Sequence, residues 1–312
     1  MAGAFEAPDV LVLGGGGILG EAWMSALLAG VEQAAGWDPL DCEAYVGTSA
    51  GSIVAAALAG GVSPRSRVGP MPEAPTVELD SDGALWPGLV GQALEAARAA
   101  GLVTAAPLAA LGLRSTAAGG ALARRLALAR VPRGSRSLGG LRAQVDRTGV
   151  DWDGRLLVAA VELESGRRAV FGAPGAARAT VGQAVEASCA IPGYFRPVEI
   201  GGRSYVDGGA WSPTNLDAAP VGRGTRVLCL NPTGAFRPSR ASPAGAIGPL
   251  SRSAAAVEAL ALSRRGARVQ TVAPDRDTLA AIGGNLMNAG RRGAVAAAGV
   301  AQGRALALGS GS

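Results

Sequence analysis

The sequence predicts an α/β protein in which helices cover a parallel β-sheet. Two successive strand, loop and helix units near the N-terminus carry this prediction, because parallel strands need long crossovers that are usually helical. The chain has 312 residues, of which 48% are hydrophobic and 17% charged, so it is long and apolar enough to bury a sizeable core. No long polar or low-complexity tract interrupts it, and we expect residues 1–312 to form one domain.

Each of the two units has a short apolar run, a small-residue loop and a helical stretch. In the first, the strand at residues 10–13 is followed by four glycines and by a helical pattern over residues 21–36. In the second, an apolar stretch ends at Val46, a GTSAG turn follows, and an alanine-rich helix closes at Gly60 and Gly61. The repetition predicts two neighbouring strands with their carboxyl ends at one edge of the sheet.

Residues 63–149 differ in character from the rest of the chain. They are rich in Pro, Gly, Ala and Arg and show weak periodicity, with helical patterns only at residues 91–100 and 120–129. We interpret them as a lid or cap inserted into the domain. A set of surface helices with no role in substrate access is the alternative.

Regular patterns return in the C-terminal half. The ESG turn joins two β-rich runs into a strand pair, and Gly201 and Gly202 join a second pair into a hairpin. The predicted elements are strands at 155–163 and 168–171, a helix at 180–188, the hairpin 198–200 and 204–206, a buried strand at 227–230, a helix at 254–264, a strand at 269–272 and a helix from about 284.

The composition excludes several classes of site. The chain has no histidine, which excludes a Ser-His-Asp triad, a Cys-His pair and any His-ligated metal. Cys42, Cys189 and Cys229 lie far apart without a CxxC pair, so neither a disulfide framework nor a zinc site is predicted. We expect no metal and no cofactor, and any catalysis must use a base other than histidine.

Charge and hydropathy limit the partners and the compartment. The net charge is +5, yet the arginines are scattered and aromatic residues make up only 4%, so we expect no nucleic-acid binding. A strand starting at residue 10 leaves no room for a secretory leader, and the longest apolar run, at residues 53–59, is far below the ~20 residues of a membrane span. These features predict a cytoplasmic protein.

The first chemical motif is GTSAG, in which Ser49 lies between Gly47 and Gly51. A serine on a sharp turn from strand to helix presents its hydroxyl outward, and small residues two positions away are needed to avoid clashes. The helix that follows directs its N-terminus at the hydroxyl and favours developing negative charge. The motif predicts a nucleophile, with an ordinary small-residue turn as the alternative.

The second motif is LGGGGILG at residues 13–20. Backbone amides of such a loop can converge at a helix N-terminus to bind an anion. They could form an oxyanion hole or, because Gly15, Gly17 and Gly20 match GxGxxG, hold a dinucleotide pyrophosphate. A nucleotide site needs an acidic residue at the end of the second strand. Since the nearby acidic residues precede that strand, we favour the oxyanion hole; they are Asp38, Asp41 and Glu43.

The third motif is YVDGG, which places Asp207 at the end of a strand before two glycines. A carboxylate there could act as a general base if a dry environment raises its pKa above the usual ~3.9. Asp-Gly-Gly is also a common turn, which is the alternative for this motif taken alone.

The order of the three motifs, together with the stretch ASCAIPGYFRPVEIGGRSYVDGG at residues 187–209, resembles the patatin-like phospholipases. The resemblance implies a three-layer α/β/α sandwich with a mostly parallel central sheet and a catalytic dyad of Ser49 and Asp207. It further implies an oxyanion hole built from backbone amides, which are those of Gly15, Gly16 and Gly17 with that of Ala50.

The implied activity is hydrolysis of carboxylic esters of lipids, of the phospholipase A or lysophospholipase type, through an acyl-enzyme. Peripheral association with a membrane would fit such a substrate. Leu19 stands where this family usually has Arg or Lys, and Trp23 where it often has His, which weakens the case for a phospholipid head group. The alternatives are a catalytically silent relative that binds lipid or a partner, and a nucleotide-binding protein.

Overall fold

An eight-stranded mixed sheet lies at the centre of the computed structural model, which describes residues 5–68, 118–237 and 247–309. The strands are β1 Val10–Leu13, β2 Ala44–Thr48, β3 Leu156–Glu162, β4 Arg168–Phe171, β5 Val198–Ile200, β6 Arg203–Asp207, β7 Arg226–Leu230 and β8 Arg268–Val272. The helices are α1 Gly17–Ala35, α2 Ala50–Ala59, α3 Pro64–Val68, α4 Ala118–Ala129, α5 Gly139–Arg147, α6 Val181–Cys189, α7 Ile247–Arg264, α8 Arg276–Ile282 and α9 Arg292–Ala307.

The strand order is β5-β6-β3-β2-β1-β7-β8, and β4 pairs with β3 outside this path. The five consecutive strands β3, β2, β1, β7 and β8 pair with one another in parallel. β4 and β6 pair with β3 in antiparallel orientation, and β5 pairs with β6 in the same way. The mostly parallel α/β sheet predicted from the sequence is therefore confirmed.

Two strands share one edge of β3. On that edge β2 pairs with the first half of β3, with Thr48 opposite Ala159, and β6 pairs with the second half, with Asp207 opposite Ala160. β4 occupies the other edge along both halves. Because β2 is parallel to β3 and β6 is antiparallel, the carboxyl ends of β2 and β6 approach each other head to head. This arrangement positions the candidate site.

Alternate strand residues face two separate cores. Leu11 and Leu13 of β1 pack with α1, α2, α6 and α9, whereas Val10 and Val12 pack with α7 and with the short helical turn at residues 216–218. The central strands β1 and β2 are buried on both faces, as expected for parallel strands covered by helices. Helices thus lie on both sides of the sheet, in agreement with the three-layer arrangement.

The helix predictions were less complete than those for the strands. The patterns at 120–129, 180–188 and 254–264 belong to α4, α6 and α7, but α5 and α8 were not predicted. The start predicted for the last helix, at about residue 284, is wrong, because α9 begins at Arg292. The preceding helix, α8, ends before Gly283, which has φ 68°.

Much of the predicted lid lies outside the described residues. Of residues 63–149, the structure describes α3, α4 and α5 but not residues 69–117, which include the helical pattern at 91–100. In the ranges that are described, no helix is both long and apolar enough to cross a bilayer.

Candidate active site

The turn between β2 and α2 holds Ser49 in a strained backbone conformation. Its φ is 51° and its ψ is −123°, a region that residues with a side chain rarely adopt. The flanking glycines leave no space for a side chain: a Cβ on Gly47 would lie 2.4 Å from Ser52 Cα, and one on Gly51 would lie 1.9 Å from the Leu13 carbonyl oxygen. The sequence thus folds into the sharp turn that thrusts a serine hydroxyl outward.

A buried serine fixes this turn to the sheet. The backbone N–H of Ser49 donates to Ser188 Oγ at 2.8 Å, and the Ser188 hydroxyl donates to the Ala159 carbonyl oxygen at 2.7 Å. Ser188 lies in α6 and is fully buried, so no water competes for these bonds. Because Ala159 pairs with Thr48, the strained residue is tied to the strand beside it.

The carboxylate of Asp207 lies next to Ser49 in a dry environment. It accepts a hydrogen bond from the Gly209 N–H at 2.7 Å, the neighbouring Ser49 side chain stabilises its charged form, and the residue is only 6% exposed. Burial raises the pKa of Asp207 from 3.8 to about 6, although the Gly209 N–H and the Ser49 side chain both favour the charged form. At neutral pH the group is therefore a carboxylate of raised basicity beside a serine hydroxyl.

The glycine loop between β1 and α1 lies against the same serine. A Cβ built on Gly15 would be 3.4 Å from Ser49 Cβ, which places this residue in van der Waals range of the serine. The Gly15 N–H, however, donates to the Pro213 carbonyl oxygen at 2.8 Å. This bond counts against the prediction that Gly15 supplies an oxyanion donor, because its amide is already engaged.

Three other predicted donors remain free of such bonds. Gly17 and Ala50 are the first residues of α1 and α2, where backbone amides have no partner within the helix. Within the described ranges, the amide of Gly16, which precedes α1, has no partner either. Gly16 leaves no room for a side chain, since a Cβ there would lie 2.5 Å from Pro232 Cβ. Two helix N-termini therefore flank the Ser49 turn.

A thiol that the sequence analysis did not assign to the site also contacts the serine. Cys189 lies beside the Ser49 side chain, which favours the thiolate form, and its Sγ is 3.8 Å from Ser52 Oγ. Burial, and then the negative charge of Asp207, raise the pKa of the Cys189 thiol. It stays protonated at neutral pH and is not a competing nucleophile.

Sequence patterns offered little warning of these supporting residues. Ser188 and Cys189 fall within the 187–209 stretch, but nothing in the spacing of a small polar pair in an alanine-rich helix reveals its partner on another strand. The two departures noted at Leu19 and Trp23 are both fully buried in the core, where the Trp23 indole donates to Gln302 Oε1 at 2.8 Å. Trp23 packs α1 against α9.

The chain resembles the solved structure of VipD from Legionella pneumophila, with a TM-score of 0.42 and 14% identity; the match covers 98% of this chain and 67% of VipD. It also resembles the solved structure of the type III effector ExoU, with a TM-score of 0.36 and 18% identity; that match covers 98% of this chain and 54% of ExoU. The chain thus spans about half the length of ExoU. No curated protein sequence matched.

A family model for patatin-like phospholipases matches residues 11–220. The matched residues include the glycine loop, the GTSAG turn and the DGG turn, and they make up more than half of the chain. Members of this family are lipid-hydrolysing esterases and phospholipases. The protein belongs to the patatin-like phospholipase family.

Proposed function

We propose that this protein is a serine acyl hydrolase that cleaves carboxylic ester bonds of lipids, with Ser49 as nucleophile and Asp207 as general base. The observation that carries the proposal is that the Ser49 side chain lies beside a buried carboxylate, Asp207, whose pKa is raised to about 6. A base near neutrality can take a proton from a hydroxyl without an intervening imidazole. The chain, which has no histidine, holds such a base next to the proposed nucleophile.

Acylation begins when Ser49 Oγ attacks the ester carbonyl carbon. The hydroxyl proton passes to Asp207 as the new C–O bond forms, and the carbonyl oxygen becomes an oxyanion. The amides of Gly16, Gly17 and Ala50 would stabilise that oxyanion. When the intermediate collapses, the bond to the alcohol breaks, and the leaving oxygen takes the proton from Asp207.

Deacylation repeats the sequence with water. A water molecule gives its proton to Asp207 as it attacks the acyl-enzyme, and the same amides hold the second oxyanion. Collapse releases the carboxylic acid and returns the proton to Ser49 Oγ. Each step needs only groups that this chain supplies, and the carboxylate returns to its starting state after each turnover.

The substrate class follows from the family. Members of the family are lipid-hydrolysing esterases and phospholipases, so we propose an acyl ester of a lipid: a phospholipid, a lysophospholipid or an acylglycerol. Such substrates would bring the protein to a membrane surface as a cytoplasmic, peripherally bound enzyme. We further propose that residues 63–149 act as a lid over the site.

Labelling with a fluorophosphonate tests the nucleophile. Wild type should become covalently labelled, and Ser49→Ala should not. Ser263→Ala is a matched control, because Ser263 is an exposed serine on α7 far along the chain, and this variant should label as the wild type does. Equal labelling of wild type and Ser49→Ala would refute the proposal. An unlabelled wild type that binds lipid vesicles would instead favour the catalytically silent relative.

The nucleotide alternative makes a different prediction. It requires the melting temperature to rise with NAD or ATP, whereas a hydrolase should show no such shift. In the structure β2 runs directly into Ser49, so this strand does not end in the acidic residue that a ribose site would need. A screen of p-nitrophenyl esters then separates a lipid hydrolase, which prefers long acyl chains, from a general esterase, which prefers short ones.

A further inference from the structure

Asn215, eight residues after the candidate base, is buried and conformationally unusual. It is 0% exposed and adopts a left-handed backbone conformation, with φ 48° and ψ 35°. Apart from Ser49 it is the one non-glycine residue with positive φ in the described ranges. Asparagine tolerates this region better than most residues, but burying its carboxamide is costly unless every polar atom is bonded.

The carboxamide of Asn215 joins the two strand ends that carry the dyad. Its Nδ2 donates to Thr48 Oγ1 at 3.1 Å, to the Gly208 carbonyl oxygen at 3.2 Å and to the Ser212 carbonyl oxygen at 2.7 Å. Thr48 directly precedes the proposed nucleophile, and Gly208 directly follows the proposed base. One amide group therefore bonds both segments in the gap between the ends of β2 and β6.

The orientation of this amide is fixed from its other side. Asn215 Oδ1 accepts a hydrogen bond from Arg168 Nη1 at 3.3 Å, and Arg168 is itself paired in a fork with Asp217, at 2.5 and 2.9 Å. A guanidinium can only donate, so the oxygen must face Arg168 and the NH₂ must face the strand ends. If the amide were flipped, its NH₂ group would face the donors of Arg168 and its oxygen would face the carbonyl oxygen of Gly208.

We propose that Asn215 is a positioning residue that sets the separation of Ser49 and Asp207 by clamping the carboxyl ends of β2 and β6 together. This inference rests on the proposed function for its effect on rate. Its structural content, that one amide couples the two segments, does not depend on catalysis. The clamp acts through Thr48 and Gly208 and does not touch the reacting atoms.

Two variants separate the amide from the backbone conformation. Asn215→Gly keeps the left-handed conformation and removes all three hydrogen bonds of Nδ2. Asn215→Asp keeps the size of the side chain but replaces the donor Nδ2 with an oxygen, which then faces two carbonyl oxygens. Asp275→Ala, which removes an N-cap bond of 2.8 Å to Thr278 at the start of α8, is the control for a general loss of stability.

Ester hydrolysis should report a loss in kcat with little change in KM. Because a misplacement of about 1 Å can cost about 10²-fold in rate, we expect Asn215→Gly to lower kcat by about 10²-fold. Asp275→Ala should lower the melting temperature and leave kcat unchanged. If Asn215→Gly is folded and keeps the wild-type kcat, or if Asp275→Ala loses as much kcat for the same change in melting temperature, the positioning role is refuted.

Hydrogen exchange provides a readout that does not require activity. In Asn215→Gly, peptides covering residues 48–52 and 205–212 should lose protection together, while peptides from α9 should not change. Unchanged protection in both segments would overturn the clamp even if the wild type proved inactive. Failure of wild-type labelling by a fluorophosphonate would overturn the proposed function and leave the exchange result to decide the clamp.

Discussion

Replacing the proposed base should make the protein more stable at neutral and alkaline pH while abolishing its activity. Asp207 is 6% exposed, and burial holds its pKa at about 6 instead of 3.8. The folded state therefore binds a proton more tightly than the unfolded chain, and stability is lost as the pH rises from 3.8 through about 6. In Asp207→Asn the neutral amide keeps the Gly209 bond and avoids the burial of a charge.

The size of the gain follows from the pKa. Each pKa unit corresponds to about 1.4 kcal/mol, so raising the pKa of Asp207 from 3.8 to about 6 lowers the free energy of unfolding of the ionised protein by about 3 kcal/mol. The same linkage leaves a difference of only about 1 kcal/mol at about pH 4.5, where the folded protein is mostly protonated at this site. Asp207→Asn should thus be more stable than wild type by about 3 kcal/mol at about pH 8 and by about 1 kcal/mol at about pH 4.5.

Urea unfolding at the two pH values measures these differences. Asp9→Asn is a control whose effect on the free energy of unfolding should have the opposite sign. A hydrogen bond from Arg226 lowers the pKa of Asp9, so the ionised Asp9 stabilises the fold above its unfolded pKa. This contribution is lost as the pH falls. Asp9→Asn should therefore be less stable than wild type at about pH 8, with the deficit shrinking in acid. If Asp207→Asn gains no free energy of unfolding, or gains the same amount at both pH values, burial does not raise the pKa of Asp207.

Three further predictions concern the same site. The value of kcat/KM should rise about tenfold per pH unit below about 6 and level off above it, because Asp207 must be ionised to accept a proton; a profile already flat at about pH 5 would contradict a raised pKa. Gly51→Ala should fold poorly, with a lowered melting temperature, because its Cβ would meet the backbone at the end of β1 at 1.9 Å, whereas Gly140→Ala, with nothing within 4 Å, should be neutral. Ser188→Ala should lower the free energy of unfolding by about 1–3 kcal/mol and reduce kcat more than it changes KM, since it leaves the Ser49 N–H unpaired; wild-type kcat in a folded Ser188→Ala would rule out this support.

The sequence predicted the framework of the fold because its strongest signals are local. The runs at β1, β2 and β7 are continuously apolar, and glycines mark the ends of α1 and α2, so these elements could be read without knowledge of their neighbours. The helices that were not predicted have weaker signals. α5 has one buried apolar residue, Val145, and α8 has seven residues and gains its order from packing against α9.

The site was predictable only as far as its motifs extend. Ser49 follows a strand, Asp207 ends one, and both precede small residues, which a pattern can show. The engagement of Gly15 with Pro213, and the bonds from Ser188 and Asn215, depend on which strands are neighbours. A single sequence contains no record of that pairing, so the free backbone amides beside Ser49 and the bonds that hold the two strand ends could be identified only in the folded chain.

The direction of β6 explains how Asp207 comes to lie beside Ser49. In a sheet of parallel strands alone, residues at neighbouring strand ends lie side by side, about 4.8 Å apart, and both point along the same direction. Here β6 runs against β3 and meets β2 on the same edge, with Thr48 and Asp207 opposite consecutive residues of β3. One residue along a strand is about 3.3 Å, so the two chain ends are close enough for a short carboxylate to touch the serine hydroxyl. Burial at this junction raises the pKa of Asp207 to about 6, toward the range that a base near neutrality needs.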